Sequence, residues 1–275
     1  MSKKSVIRPN PEALKLPLIG ADSHAHLVFP ELFTRLPEVI KKATSAGVAF
    51  LGNVFLSIQE YQEYNEVLKT IPGIFFLLGI HPCDAMKFNK NILKIMYDIF
   101  HFDEQLKAVG EIGLDFYHKD CTATLQEEVF RTQLNFAREM RRPIVIHSRD
   151  AARDTIRILE SEGCIAYPVL WHCFSGDAVP FLDRILSNGW NISVAGPVTY
   201  PGNKELQEVI PMIPQDKLLL ETDCPYLSPV PWRGKCNEPA LVVFTAAYIA
   251  SLKEIDIIEL WTQCGENTKK FFMLS

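Results

Sequence analysis

Two histidines in Asp22-Ser23-His24-Ala25-His26 stand two residues apart. Alternate side chains of an extended segment share a face, so both imidazoles can reach one divalent cation. Further ligand-type side chains each follow a separate apolar run. Glu111 follows Leu106-Lys107-Ala108-Val109-Gly110. His147 follows Pro143-Ile144-Val145-Ile146, and His172 follows Pro168-Val169-Leu170-Trp171. Asp223 follows Leu218-Leu219-Leu220-Glu221-Thr222. A lone histidine at such a place is more often structural, but several at successive run ends favour ligation. Glu111 lies between Gly110 and Gly113, which let the backbone approach a crowded centre, and its carboxylate can bridge two ions. A buried unpaired carboxylate at Asp223 would be costly, so it calls for a cation. Imidazole and carboxylate donors suit zinc, manganese, nickel and, less well, magnesium. The pattern predicts a hydrolytic metalloenzyme.

The apolar runs must position these groups. Short β-branched and leucine-rich runs bounded by Pro, Gly or polar residues read as buried parallel strands. Eight are expected, at 18–22, 49–55, 74–79, 106–111, 144–147, 168–172, 190–194 and 217–221. Helical periodicity fills the intervals. The clearest helix is 125–141, with Thr124 and Glu127 at capping-box spacing and Pro143 preventing continuation. A helix over 204–210 is expected to be capped by Asn203, and two closing helices over 240–252 and 255–272. Eightfold strand–helix alternation predicts an α/β fold, a (β/α)8 TIM barrel, with the metal site at the C-terminal ends of the strands. The 275 residues suit one such domain of about 250. Residues 1–17 are expected to be an extended lead-in, and 18–275 a single hydrolase domain.

Composition narrows the function classes. Hydrophobic residues make up 48% and charged residues 22%, enough for a large core and against wholesale disorder. The apolar runs are too short to span a membrane, and no long apolar stretch follows Met1–Lys4 to make a secretory signal. The seven cysteines are scattered, odd in number and free of any C-x-x-C pair, which fits reduced thiols in the cytoplasm. A net charge of −5 counts against a protein that coats nucleic acid. It leaves room for an enzyme that grips a few phosphates.

Candidate substrate contacts follow from the same placement. His81, in Gly79-Ile80-His81-Pro82, also ends a strand and so faces the site, with ligand, substrate-contact and structural roles all open. Arg149, Arg233 and Lys235 lie in loops after strand ends, where they could bind phosphate oxygens. Phe116, Tyr117, Phe174, Tyr200, Tyr226 and Trp232 are loop aromatics on which an unpaired base could stack. His118, with Lys119, could line the barrel mouth, whereas His101 reads as a solvated helix-end residue.

Taken together, these motifs resemble the TatD-type metal-dependent deoxyribonucleases of the amidohydrolase superfamily. The resemblance is carried by Asp22–His26, Gly79–Pro82, Gly110–Asp115, Ile146–Asp150, His172–Gly176, Glu221–Leu227 and Asn237-Glu238-Pro239, over nearly the whole chain. It implies that His24, His26, Glu111 and Asp223 hold one metal, and Glu111, His147 and His172 a second. It implies metal-activated water cleaving phosphodiester bonds of DNA, single-stranded or at ends, from a 3′ end, with Asp223 and Glu111 as catalytic residues. No membrane and no obligate protein partner is expected. The alternative is a small-molecule amidohydrolase or esterase using the same binuclear site. One departure is visible: the family's first motif usually continues His-x-His-Leu-Asp, whereas Leu27 is followed here by Val28-Phe29-Pro30-Glu31, so that the acid is absent or displaced to Glu31.

Overall fold

A computed structural model describes residues 8–275. Eight strands run β1 (Gly20–Ala25), β2 (Val48–Phe55), β3 (Ile74–Leu78), β4 (Leu106–Asp115), β5 (Ile144–Arg149), β6 (Val169–Trp171), β7 (Asn191–Val194) and β8 (Leu218–Leu220). They lie side by side in chain order, and every neighbouring pair is parallel. The seam between β8 and β1 closes at one end. Ala25 pairs in parallel with Cys224, and Asp22 accepts a hydrogen bond from the Thr222 amide at 2.8 Å. The expected (β/α)8 barrel is therefore the fold.

Helices α1 (Pro30–Phe33), α2 (Leu36–Ser45), α3 (Ile58–Leu68), α4 (Lys90–Phe102), α5 (Ala123–Glu139), α6 (Ala152–Ser161), α7 (Leu182–Ser187) and α8 (Lys204–Val209) link successive strands. Two more, α9 (Val242–Lys253) and α10 (Ile257–Phe272), follow β8. Strand residues alternate between two cores, because side chains leave a strand on opposite faces. The outer core lies between sheet and helices and includes Phe55, Phe76, Ile146 and Trp171. The inner core fills the barrel and is built from Val54, Phe75, Leu77, Ala108, Val145, Leu170 and Leu219. Phe272, at the end of α10, belongs to it and packs on Phe75 with ring centroids 4.6 Å apart.

Several local expectations need correction. The first strand starts at Gly20, two residues later than expected, and Leu18 is exposed, because the segment before it is held from outside by Trp261, whose indole N–H donates to Pro17 O at 2.9 Å. Strand β4 runs on to Asp115, and its extra residues pair with β5. Helix α5 starts at Ala123, and its cap is Thr122, not Thr124. Thr122 is extended and its hydroxyl accepts from Leu125 N at 3.3 Å, whereas Thr124 is already within the helix. Asn203 does stand before α8 but makes no side-chain cap; its amide donates to Pro197 O instead. Of the lead-in, residues 1–7 lie outside the described residues, and Pro11–Leu14 forms a 3-10 turn, capped by Asn10, rather than extended chain. Among the described residues, no helix is long and apolar enough to cross a membrane.

Candidate metal centre

Inward-facing positions at the C-terminal strand ends carry the polar side chains. In β5 the alternation that turns Val145 into the barrel brings His147 inward two residues later. Leu170 and Leu219 lead in the same way to His172 and Glu221. Strand β4 breaks the alternation. Ala108 is inward and Val109 outward, so strict alternation would turn Glu111 out and Ile112 in. The pairing with β5 is irregular between Val109 and Ile112, which changes the phase: Ile112 joins the outer core and Glu111 enters the centre. Glycines make this possible. A Cβ on Gly110 would lie 2.6 Å from Val145 Cβ, and one on Gly113, at φ +147, would lie 1.9 Å from His147 O.

Glu111 Oε2 is the geometric hub. It lies 3.4 Å from His147 Nδ1, 3.4 Å from His172 Nε2 and 3.8 Å from His24 Nε2. Asp223 Oδ1 faces the first-strand pair, 3.2 Å from His26 Nε2 and 3.8 Å from His24 Nε2. Asp223 sits at φ +56, and its amide donates to His24 O at 2.9 Å, so the loop after β8 is fastened to β1. Asn237 fastens it from the other side, donating to Thr222 O and Tyr226 O at 3.0 and 2.6 Å. All six residues expected as ligands are thus brought together.

Three of their ring nitrogens are buried without a hydrogen-bond partner: both of His24, and Nδ1 of His26. A buried unpaired donor or acceptor costs about 1–3 kcal/mol, and cation binding would satisfy those nitrogens that face the centre. Two donor groups of cation-binding size share Glu111: His24, His26 and Glu111, then Glu111, His147 and His172. The residues present therefore fit divalent metal.

Two acids outside the expected set orient the histidines. Glu221 Oε2 lies 3.0 Å from His172 Nδ1 and also accepts from Ser193 Oγ, while Oε1 accepts from Cys173 N. Asp115 Oδ2 lies 3.1 Å from His147 Nε2. These contacts hold a proton on the far nitrogen, so that the near nitrogen can turn its lone pair to a cation once its own proton has left, the usual carboxylate support of a metal-binding imidazole. The readable signal for Glu221 was an acid directly after the last apolar run, two residues before Asp223. Asp115 gave a weaker one, because the phase change within β4 hides its facing.

The electrostatics follow from burial and these contacts. Burial and the neighbouring His172 hold His24 well below the ordinary histidine value, so it is neutral. Burial opposes ionisation of Glu111, but the hydrogen bond from His147 and the surrounding imidazoles hold its carboxyl well below the usual range. Burial likewise opposes a charge on His172, yet Glu221 outweighs it and raises the ring to about 10. A cation must expel that proton in order to bind. Burial and His147 lower His81 to about 4. Its Nδ1 accepts from Cys83 N at 3.2 Å, so the neutral ring carries its proton on Nε2.

A cleft of about 680 Å³ opens above these groups. His81 and Arg149 line it, with Phe29 and Tyr226 at its wall. Arg149 stacks over Tyr117 at 4.0 Å, a cation–π contact that holds it at the rim. Arg233 and Lys235 are exposed and do not line the cleft; Arg233 stacks instead on Tyr200 at 4.2 Å. Of the six loop aromatics only Tyr226 lines it, and Phe174 is core. Phe29 was missed: its ring stacks on His26 at 5.2 Å and meets Tyr226 edge-on at 5.9 Å. Glu31 is exposed on α1 and lies outside the cleft, so it does not replace the missing acid of the first motif. His118 is exposed and bonded to Asp115 beside the cleft, and His101 is exposed near the end of α4.

A closed parallel barrel with a histidine–carboxylate centre at its C-terminal face defines the amidohydrolase type of metal-dependent hydrolase. The family model described as TatD-related DNase matches residues 21–273. The chain belongs to that family. It is 37% identical over 254 residues to the metal-dependent hydrolase YabD of Bacillus subtilis, covering 92% of this chain and 99% of that one. It is 33% identical over 256 residues to the metal-dependent hydrolase YcfH of Escherichia coli, covering 91% and 94%. The crystal structure of YjjV, a TatD homologue from Escherichia coli, superposes with a TM-score of 0.88 at 25% identity, covering 94% of this chain and 99% of that one.

Proposed function

We propose that this TatD-family hydrolase cleaves phosphodiester bonds of DNA, in single strands or at ends and from a 3′ end, with water activated by two divalent cations. The observation that carries the reading is Glu111 Oε2 between three imidazole nitrogens, with Asp223 completing the set on the β1 side. His24, His26, Glu111 and Asp223 would hold one cation, and Glu111, His147 and His172 the other. Such a pair would supply a water of lowered pKa and Lewis-acid stabilisation of the phosphoryl group.

The chain's own residues then divide the work. Asp223 borders the cleft and accepts the proton of the attacking water. His81, neutral and protonated on Nε2, donates to a phosphoryl oxygen. Arg149 binds a non-reacting phosphate oxygen from the rim. Glu221 and Asp115 keep His172 and His147 in the ligating tautomer. Phe29 and Tyr226 offer ring surface to an unpaired base. The seven cysteines are all free, which supports a reducing, cytoplasmic setting.

A second reading is hydrolysis of small amides, lactones or esters at the same centre. One observation favours it: among the described residues, Arg149 is the only Lys or Arg that lines the cleft. Turnover of defined single-stranded DNA with zinc, manganese, nickel or magnesium, compared with amide, lactone and ester panels, decides between the two. Rapid DNA cleavage that chelation abolishes supports the nuclease. No cleavage of any DNA together with rapid turnover of a small carbonyl substrate moves the protein to the second class. A salt dependence corresponding to about two to four phosphates is expected, because a short footprint lowers log affinity by only ~0.7 per phosphate per decade of salt.

A further inference from the structure

Asp115 has two sides. One faces His147 in the candidate centre. The other faces a separate group of donors. Cys83 Sγ, an Asp115 carboxylate oxygen and a His118 ring nitrogen lie within 4.8 Å of one another. They come from two neighbouring strand ends. Cys83 belongs to the 3-10 turn Pro82–Lys87 after β3, Asp115 ends β4, and His118 follows in the next loop. His118 Nδ1 is already 2.8 Å from Asp115 Oδ2. Cys121 adds a second thiol nearby, its Sγ donating to Cys83 O at 3.1 Å. Asp115, His118 and Cys121 help to wall a cavity of about 420 Å³, and His118 is exposed, so the group is open to solvent.

We propose that Cys83, Asp115 and His118 form an accessory, inhibitory site for a zinc-class divalent cation, coupled to the candidate metal centre through Asp115. Thiolate, imidazole and carboxylate are the donors of tetrahedral zinc. The thiolate also makes this site softer than the nitrogen–oxygen set around Glu111. With bonds of about 2.0–2.3 Å the tetrahedral edges are about 3.5 Å, so no pair within the 4.8 Å cluster needs to close by more than about 1.3 Å on binding. Both outer donors lie beyond the strands, where the backbone can supply that movement. Cys83 gives its thiol proton to solvent, and His118 turns its Nδ1 lone pair to the ion in place of its contact with Asp115.

The coupling lies in one oxygen. Asp115 Oδ2 also meets His147 Nε2 at 3.1 Å. An ion that draws on this carboxylate competes with His147 for it and neutralises its charge. His147 then loses the partner that fixes its tautomer, and the candidate centre loses a well-oriented ligand. Excess zinc should therefore slow the enzyme without touching its substrate cleft.

Cobalt titration of the full chain tests this directly. The candidate centre offers only nitrogen and oxygen donors, so a thiolate-to-cobalt charge-transfer band reports the accessory site. Wild type should develop the band as cobalt passes two equivalents. Cys83→Ser should lack it while binding the first two ions as before, and His118→Ala should weaken it. Cys173→Ser, which removes the thiol that borders the main cleft, should keep it. With any substrate the enzyme turns over, Cys83→Ser should raise the inhibitory zinc concentration at least tenfold and leave activity at low zinc unchanged. Absence of the band in wild type at saturating cobalt, or its persistence in Cys83→Ser, overturns the proposal. The spectroscopic arm needs no substrate, so its outcome is separate from that of the nuclease reading.

Discussion

The two ends of one barrel follow opposite rules. At the N-terminal end the interior is apolar and filled: Phe75 packs on the fully buried Phe272, and Leu77 and Val145 belong to the same inner core. At the C-terminal end the same strands continue into histidines and acids, three ring nitrogens lack partners, and Asp150, Cys173 and Asp223 adopt positive φ. One end is built for packing. The other tolerates strain and unmet polar demand, as functional sites do. Substitutions at the two ends should therefore separate activity from stability.

The largest effects are expected at the top. Asp223→Asn removes the proposed proton acceptor and one proposed ligand, so kcat should fall roughly 10²–10⁴-fold with much less change in KM. Glu111→Gln should be at least as harmful, because it weakens both cation positions together. Metal analysis showing two tightly bound ions per chain in that variant would remove Glu111 from its bridging role.

The bottom should answer differently. Phe272→Ala empties the plug of the inner core and should cost about 3–5 kcal/mol in denaturant unfolding. Activity per folded molecule should stay near wild type. A large loss of kcat in fully folded Phe272→Ala would show that the two ends are not independent.

Smaller effects lie in the layer behind the ligands. Glu221→Gln keeps the size of the side chain but weakens its hold on His172, and should lower metal affinity about 10–100-fold. Unchanged affinity in a direct titration would make Glu221 a packing residue.

A separate effect is a pH dependence of the metal-free protein. Burial opposes the charge on His172, but Glu221 holds it to about 10, against an ordinary value of 6.5. The pairing thus stabilises the metal-free fold fully below about pH 6.5 and fades as pH rises towards 10. The difference in unfolding free energy between metal-free wild type and His172→Gln should shrink over that range. A constant difference would mean that the His172–Glu221 contact does not titrate.

Much of this was legible beforehand, and the parts that were not share a cause. Short apolar runs ending in His, Asp or Glu marked the strands and the candidate ligands, because both are local patterns. The cap of α5 was misjudged by two residues, since Thr122 and Thr124 differ only in which one leaves the helix. Arg233 and Lys235 stand, like Arg149, in loops after strand ends, yet of the three only Arg149 reaches the cleft. Loop charges carry no periodicity that fixes their direction.

The sequence by itself determined the eightfold alternation, the donor types and their order along the chain. Local hydrophobic pattern and side-chain chemistry are enough for that. Only the tertiary structure decided which donors meet. It turned Glu111 inward through an irregularity in β4, set Glu221 and Asp115 behind two histidines, and put Phe29 against His26. The donors that meet stand up to 199 positions apart, as in His24 with Asp223 at 3.8 Å. Closure of the barrel brings them together, and no local pattern encodes a contact across it.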